Sequence, residues 1–473
     1  MTDAPPPPAP RRVPDEALDA AEIARLTGGR LERPSRQPVH GAAVDSRRVV
    51  PGNLFVALAG ERTDGHDHLL AAVEAGAAAV LVSRPGALPP GLESVGVVRV
   101  TQPLPALHAL AAAWRRRFDP IAIGITGSIA KTSTKEAVAA VVETRYRTLK
   151  SQGNENNEIG LPLTVLRLDR SVEALVLEMG MYVEGEIADL VRIGRPRIGV
   201  VTAVLPVHLS RMGSIEAIEQ EKARLVEGLP GDGVAILNAD DPRVLGMAAR
   251  TAARVVTYGL GSADVGATSV ETTAGSGMRF VLRTPAGSRD VAIPVLGRHA
   301  VHNALAAAAV GLAAGIDLDA IALGLAGTPT PEHRGELIRL GGVTIVDDTY
   351  NAAPASMLAA LDLLAGLRGR RVAVLGEMLE LGDGSDEGHR QVGRAAAAVV
   401  DLLVVVGDGA LGIAEGAIEA GLEPERVLLT GDRETARELL APRLVAGDVV
   451  LVKASRGIEL DRLVAGLRED LQP

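Results

Sequence analysis

The sequence predicts an α/β protein of three domains, and three observations carry that reading. A β-branched run over 121–125 ends in a turn of small residues and gives way to a helix opening at Lys131. Beyond residue 329, short apolar runs alternate with helical patterns as far as the C-terminus, the signature of a parallel, Rossmann-like sheet. Between Arg254 and Val295, strand-like segments follow one another without a helix, a β-rich excursion. A chain of 473 residues is long enough for about three domains.

Bulk composition narrows the function classes. Hydrophobic residues make up 47% but aromatics only 2%, so the cores must be built from Ala, Val, Leu and Ile. The chain has no cysteine, which excludes disulfides, thiolate metal sites and a cysteine nucleophile and suits a cytoplasmic protein. A net charge of −10 argues against a general nucleic-acid binder. Residues 1–15 read as a disordered, Pro-rich tail and not as a signal peptide, because they lack an apolar h-region. No apolar run reaches the length of a membrane span. The alanine-rich stretch 304–314 is too short and reads as a buried helix.

Residues 16–112 form the first predicted domain. A helix closes at Gly28 and Gly29. A turn at Asp45-Ser46-Arg47, a strand over 54–58, a charged loop over 60–68, a helix and a strand over 79–82 follow. Ser46 and Arg47 could bind a phosphate, although a solvated turn explains them as well.

Residues 113–328 form the second. Strand, small-residue loop with Gly127 and Ser128, Lys131-Thr132 and helix are the parts of a phosphate cradle. In such a cradle backbone N–H groups and the helix N-terminus face an anion, the lysine reaches the outer phosphates and the hydroxyl meets Mg²⁺. A strict GxxxxGK[ST] pattern fails, because Ile125 and Ala130 stand where glycines are required. The bland alternative is an ordinary βα turn with a chance Lys-Thr. An Asn-rich loop, GNENNE, precedes a helix, and turn chemistry would account for two of its three asparagines. Glu178 ends a buried strand at the rim where open α/β sheets bind ligands. His208 follows the next strand, and together these make a Mg²⁺ site plausible. Lys222 sits in an amphipathic helix among Glu219, Glu221 and Glu227, where surface ion pairing is the default expectation. A long buried helix carries Asn303 near its start.

Residues 329–473 form the third. Polar residues gather at its strand ends: Asp347, Asp348, Tyr350 and Asn351, then Glu377, then Lys453, Ser455 and Arg456. No GxGxxG follows the first strand, which argues against a nicotinamide site.

Taken in order, DSRRVVPGNLF, TGSIAKTSTKE, GNENNEIGLPLTVL, EMG, PVHL, EKARLVEGL, GRHAVHNALAA, DDTYNAAPASM, GEMLELG and GDVVLVKASRG resemble the Mur ligases over nearly the whole chain after the tail. Within the family, DDTYN-A-x-P with GEMLELG is most like the branch that adds D-alanyl-D-alanine to UDP-N-acetylmuramoyl-tripeptide. The resemblance implies a UDP-sugar domain, a central ATP domain and a C-terminal domain, acting as a cytoplasmic monomer in peptidoglycan synthesis.

It also implies roles. Gly127, Ser128, Lys131, Thr132 and Ser133 would hold ATP, with Asn303, with Arg334 from the hinge before the third domain, and with Asp348. Thr132, Glu178, His208 and Lys222 would hold two Mg²⁺ ions, Lys222 as a carbamate. A carbamate suits such a site, since a bare ammonium beside Mg²⁺ is repulsive. Ser46, Arg47 and Asn156 match the UDP-sugar side, and Tyr350 and Asn351 lie beside the ATP contacts. The implied chemistry is phosphoryl transfer to a carboxylate, then acyl transfer to an amine.

The chain departs from the family pattern at Ala130, Ala203, Leu205, Ser210, Ala300 and Ala454. If the turn needs φ > 0, Ala130 costs on the order of 1 kcal/mol. Two alternatives stay open at this level. One is another ATP-dependent ligase of the folylpolyglutamate synthase type; the other is a weakened nucleotide-binding scaffold. A regulatory GTPase is disfavoured by the lack of an NKxD-type motif.

Overall fold

A computed structural model describes residues 17–60, 63–85, 88–207, 209–273 and 277–472. The tail expected over 1–15 and the candidate ligand His208 lie outside the described residues. The first sheet holds β1 (Arg30–Arg33), β2 (Ala42–Ala43), β3 (Leu54–Val56), β4 (Ala79–Val82) and β5 (Gly96–Arg99). Its order is β1-β5-β4-β3-β2, parallel except for the antiparallel β1–β5 edge. Next come β6 (Ile121–Thr126), β7 (Thr148–Lys150), β8 (Ala174–Glu178), β9 (Ile198–Val201), β10 (Val234–Asn238), β11 (Arg254–Gly259), β12 (Val265–Thr272), β13 (Met278–Thr284) and β14 (Gly287–Ile293). A further sheet holds β15 (Glu336–Leu340), β16 (Val343–Asp347), β17 (Arg370–Gly376), β18 (Leu402–Val406), β19 (Val427–Thr430) and β20 (Asp448–Lys453).

The chain divides into two compact units. The first takes residues 1–122, 147–179 and 189–196. Its helix Ala20–Thr27 starts where Asp19 accepts the Glu22 N–H at 2.8 Å and stops at Gly28, whose φ of 66° suits glycine. β3 and β4 are buried throughout, which is why they read as unbroken apolar runs. Phe55, Val80, Val82 and Val97 pack with Leu69 and Leu92 as one core. Buried Arg115 ends the helix Pro103–Arg115 and donates to the carbonyls of Gly194 and Phe118, both at 2.8 Å. Burial pushes its pKa down to about 10. In the same unit β7 and β8 pair in parallel.

The second unit takes residues 123–146, 180–188 and 197–473. Here the strands run β14-β13-β12-β11-β10-β9-β6. β6 to β11 are parallel, and β12, β13 and β14 form the antiparallel excursion that the sequence suggested. The helix Arg298–Ala313 packs on the helix Lys131–Val142 and on β11, so its long alanine run is interior.

The third sheet, in the same unit, has the order β15-β16-β20-β17-β18-β19, with only β15–β16 antiparallel. Right-handed crossovers place the helices Pro354–Ala365, Ser385–Ala397 and Leu411–Glu419 on one face. The return from β19 to β20 places Arg433–Leu440 on the other face, packed with Leu460–Asp470 over Ile345, Val372, Val404, Val450 and Val452. Sequence reading missed β15. Gly341 and Gly342, with φ of 57° and 79°, form the tight turn that folds it back on β16.

Candidate functional site

The loop after β6 is held by the segment after β9. Gly127 lies at φ 154° directly under Thr202, and a β-carbon there would strike the Thr202 hydroxyl. That hydroxyl donates to the Ile129 carbonyl at 2.7 Å. The Ser128 N–H donates to the Ala203 carbonyl at 2.8 Å. The Ser128 hydroxyl donates to the Leu205 carbonyl at 3.0 Å and accepts the Leu205 N–H at 2.9 Å. At 203 and 205 only main-chain atoms make these bonds, so the side-chain departures seen in the sequence leave the stitching intact.

Ala130 takes the left-handed conformation, φ 65° and ψ 1°, just before the helix Lys131–Val142. No side chain caps this helix. Its first-turn N–H groups have no helical acceptor and the macrodipole is positive there, so the end suits an anion. Lys131 Nζ curls back to donate to the Gly127 carbonyl at 2.8 Å, while Thr132 and Ser133 are half-buried in the first turn. Buried Thr134 donates to Asn303 Oδ1 at 3.1 Å, tying the two long helices together at the candidate nucleotide residue.

The surface ion pairing expected for Lys222 is not what the helix Ile215–Glu227 does. Lys222 is 2% exposed. Glu219 pairs with Arg243 at 2.6 Å, and Glu227 pairs with Arg224 and Arg250. Buried Glu221 accepts the N–H groups of Gly185 at 3.0 Å and Ile187 at 2.7 Å. Lys222 is left with no hydrogen bond from its ammonium among the described residues. Its pKa lies well below the ordinary lysine value, first through burial, then through the Lys131 charge, with Glu221 opposing. The signal was present: Ile218, Glu221, Lys222, Leu225 and Val226 are spaced as one buried helical face. Sequence reasoning missed the structural role of Glu221 for the same reason.

In the C-terminal part of this unit Arg334 lies over the Tyr350 ring, 3.8 Å from its centroid, and Arg456 lies 5.3 Å from it. Lys453 Nζ donates to Asp348 Oδ2 at 2.6 Å and to the Asn351 carbonyl at 2.8 Å. Asn351 is exposed, and the Tyr350 N–H donates to the His333 carbonyl at 3.1 Å. His333 Nδ1 pairs with buried Asp347 at 2.8 Å. His299 at the start of the helix Arg298–Ala313 lies in the field of both Asp348 and Lys453.

Ser46, Arg47, Asn156 and Glu178 belong to the first unit. Ser46 and Arg47 sit in a short turn capped by Asp45. Arg47 is 87% exposed and pairs with Asp45 at 2.6 Å, and its hydrogen bonds draw the Asp45 carboxyl down to about 2. Asn156 Nδ2 donates at 2.8 Å to Glu178 Oε1, and that carboxylate, 1% exposed, ends β8. Asn157 does the turn work, accepting the Gly160 N–H at 2.9 Å.

Known proteins resemble the chain throughout. Three family descriptions match: the Mur ligase family catalytic domain over residues 38–144, the Mur ligase middle domain over 125–311, and the Mur ligase glutamate ligase domain over 333–456. The chain is 38% identical over 453 residues to UDP-N-acetylmuramoyl-tripeptide–D-alanyl-D-alanine ligase of Bacillus subtilis (strain 168), covering 94% of this chain and 97% of that relative. A crystal structure of MurF from Acinetobacter baumannii superposes with a TM-score of 0.86 at 30% identity, covering 96% of this chain and 100% of that one. MurF ligase from Thermotoga maritima, solved in complex with ADP, gives 0.81 at 28% identity, with 92% and 98% covered.

Proposed function

The chain belongs to the Mur ligase family, and on that premise we propose how its residues divide the work of the reaction. The enzyme is an ATP-dependent ligase that forms an amide bond, adding D-alanyl-D-alanine to UDP-N-acetylmuramoyl-tripeptide in peptidoglycan synthesis. The observation that carries our assignment of roles is the uncapped helix start at Lys131 with Lys222 buried in its field.

Lys131, the loop from Gly127 and the first-turn residues Thr132 and Ser133 hold the triphosphate. Asn303, Arg334 and Asp348 complete the nucleotide contacts. The tripeptide carboxylate takes the γ-phosphoryl group, and the dipeptide amine then attacks the acyl carbon, forming the amide bond as phosphate leaves and the amine gives up a proton. Lys131 offsets the charge that develops on the transferring group. Mg²⁺ bound by Thr132 and Glu178, and a second ion bound by His208 and Lys222, would supply further neutralisation of the phosphates.

Within the second unit, Lys222 suits such an ion on one condition. An ammonium in the field of another lysine, whose neighbouring Glu221 is already engaged by backbone N–H groups, is a poor metal neighbour. A depressed pKa raises the share of free amine at Lys222, the form that can add CO₂ and release a proton to give an anionic carbamate. Ser46, Arg47 and Asn156 are assigned to the UDP-sugar, and Tyr350 and Asn351 to the substrate side of the third domain. Domain limits at 16–112, 113–328 and 329–473 are part of the same reading, supported by sheets that fall within 30–99 and 336–453. So is a cytoplasmic monomer; among the described residues no helix is long and apolar enough to cross a membrane.

The test is phosphate release from ATP with UDP-N-acetylmuramoyl-tripeptide, with and without D-alanyl-D-alanine, using tripeptides ending in lysine and in meso-diaminopimelate. Dipeptide-dependent release, lost in Lys131→Ala and Lys222→Ala, is expected. Full activity in either variant would overturn the assigned roles.

A further inference from the structure

We propose that Glu155 is a positioning residue for the UDP-sugar, tying the turn 46–48 to the loop that carries Asn156 so that both sides of that ligand's site are set before it binds. The proposal rests on the assignment of Ser46, Arg47 and Asn156 made above, and it lies wholly within the first unit.

Glu155 stands in the Asn-rich loop GNENNE, yet it is 8% exposed and more deeply buried than the asparagines around it. Its carboxylate gathers three side chains. Oε1 accepts from Arg48 Nη2 at 3.1 Å. Oε2 accepts from the Thr164 hydroxyl at 3.1 Å and from Arg167 Nη2. Arg167 Nη2 also donates to Thr164 Oγ1 at 2.9 Å. A carboxylate taken out of water needs such donors. The backbone fixes the same residue: the Glu155 N–H donates to the Gln152 carbonyl at 2.9 Å, and a β-carbon on Gly160 would lie 2.4 Å from Glu155 Cα.

Thr164 and Arg167, from the stretch just after the loop, already satisfy and neutralise this carboxylate. Arg48 comes from 107 residues earlier, and its side chain is 65% exposed. An exposed guanidinium adds little stability. What its bond adds is position. The other hydrogen bonds of its turn are local: Asp45 accepts the Arg47 N–H at 3.0 Å, and the Arg48 N–H donates to the Asp45 carbonyl at 3.0 Å. Arg47 itself is turned to Asp45, at 2.6 Å. Among the described residues, the Arg48–Glu155 bond is the one that carries this turn onto a distant segment.

The loop end of the link is anchored separately. Asn156 Nδ2 donates to Glu178 Oε1, and Asn157 accepts the Gly160 N–H. One end is therefore fixed and the other is an exposed turn. The residues flanking the link, Arg47 beside Arg48 and Asn156 beside Glu155, are those assigned to the UDP-sugar. Setting their separation in advance removes an ordering cost that the ligand would otherwise meet on binding.

The experiment uses the full chain. Binding of UDP-N-acetylmuramoyl-tripeptide is measured by titration calorimetry, and KM is measured for all three substrates. Arg48→Gln and Glu155→Gln should each weaken UDP-N-acetylmuramoyl-tripeptide binding about threefold to tenfold, the effect of losing one charge-assisted bond that orders a turn. The double variant should be no weaker than the weaker single variant, because one link is lost in all three. Arg48→Lys, which keeps the charge, should recover most of the affinity. KM for ATP and for D-alanyl-D-alanine should stay within about twofold. Glu155→Gln leaves Arg167 without its charge partner and should lower the thermal midpoint. Arg48→Gln should leave that midpoint nearly unchanged, so its binding loss cannot come from unfolding. Unchanged binding in Arg48→Gln, additive losses in the double variant, or an equal rise in KM for all three substrates would overturn the proposal. Failure of the unaltered enzyme to bind UDP-N-acetylmuramoyl-tripeptide would instead overturn the assigned function, and the positioning role with it.

Discussion

Replacing Ala130 by glycine should stabilise the enzyme and tighten ATP binding. Ala130 sits at φ 65°, a region where an L-residue costs about 1–2 kcal/mol. Glycine removes that cost but adds unfolded-chain entropy worth about 0.4–1 kcal/mol. Glycine is also a better N-cap than alanine, and no side chain caps this helix now. The net gain is about 0.5–1 kcal/mol, enough to raise the unfolding midpoint by about 1–3 °C. The same strain disfavours the ATP-competent turn in the free enzyme, so KM for ATP should fall by up to about fivefold. Ala130→Val should move both quantities the other way, because a β-branched residue tolerates φ > 0 least. Calorimetric scans and ATP titrations of the three proteins decide it. A lower midpoint or a higher ATP KM in Ala130→Gly would mean that the methyl group packs more strongly than its backbone is strained, and the reasoning would be wrong.

Carbamylation of Lys222 should appear as a ¹³C resonance after exposure to labelled bicarbonate, absent in Lys222→Gln, and CO₂-depleted buffer should cut activity until bicarbonate is restored. His333 supplies a pH test. Burial disfavours its charge, but the hydrogen bond and charge of Asp347 outweigh that and hold its pKa above the ordinary value. Its stabilisation is therefore complete below about pH 6.5 and fades as pH rises through the raised folded value. The midpoint difference between the native chain and His333→Gln should be larger at pH 5.5 than at pH 8.5, and the reverse order would exclude the pairing.

What could be read from the sequence follows the range of each interaction. The strand, turn and helix over 121–142 were legible because they are contiguous and their residue types are local requirements. The alternation of the third domain was legible for the same reason, yet β15 was not, since its evidence is a Gly-Gly turn beside a weak apolar pattern. The face taken by Lys222 was written in the 218–226 spacing, but charge neighbours were read in place of burial. The bond between Asn156 and Glu178 joins a loop residue to a strand end 22 positions further on, which no local pattern reveals. Whether Ala130 would adopt a glycine-like angle or force the turn elsewhere depended on the backbone alone.

The stitching of Ser128 to residues 203 and 205 has a consequence for inhibitor design. Substitutions at 203 and 205 leave those bonds in place, so a drug gripping those side chains would face easy resistance. The Ser128 hydroxyl gives and receives at once, and few replacements can do both. Compounds that need this loop in its present shape would leave mutants little room to escape.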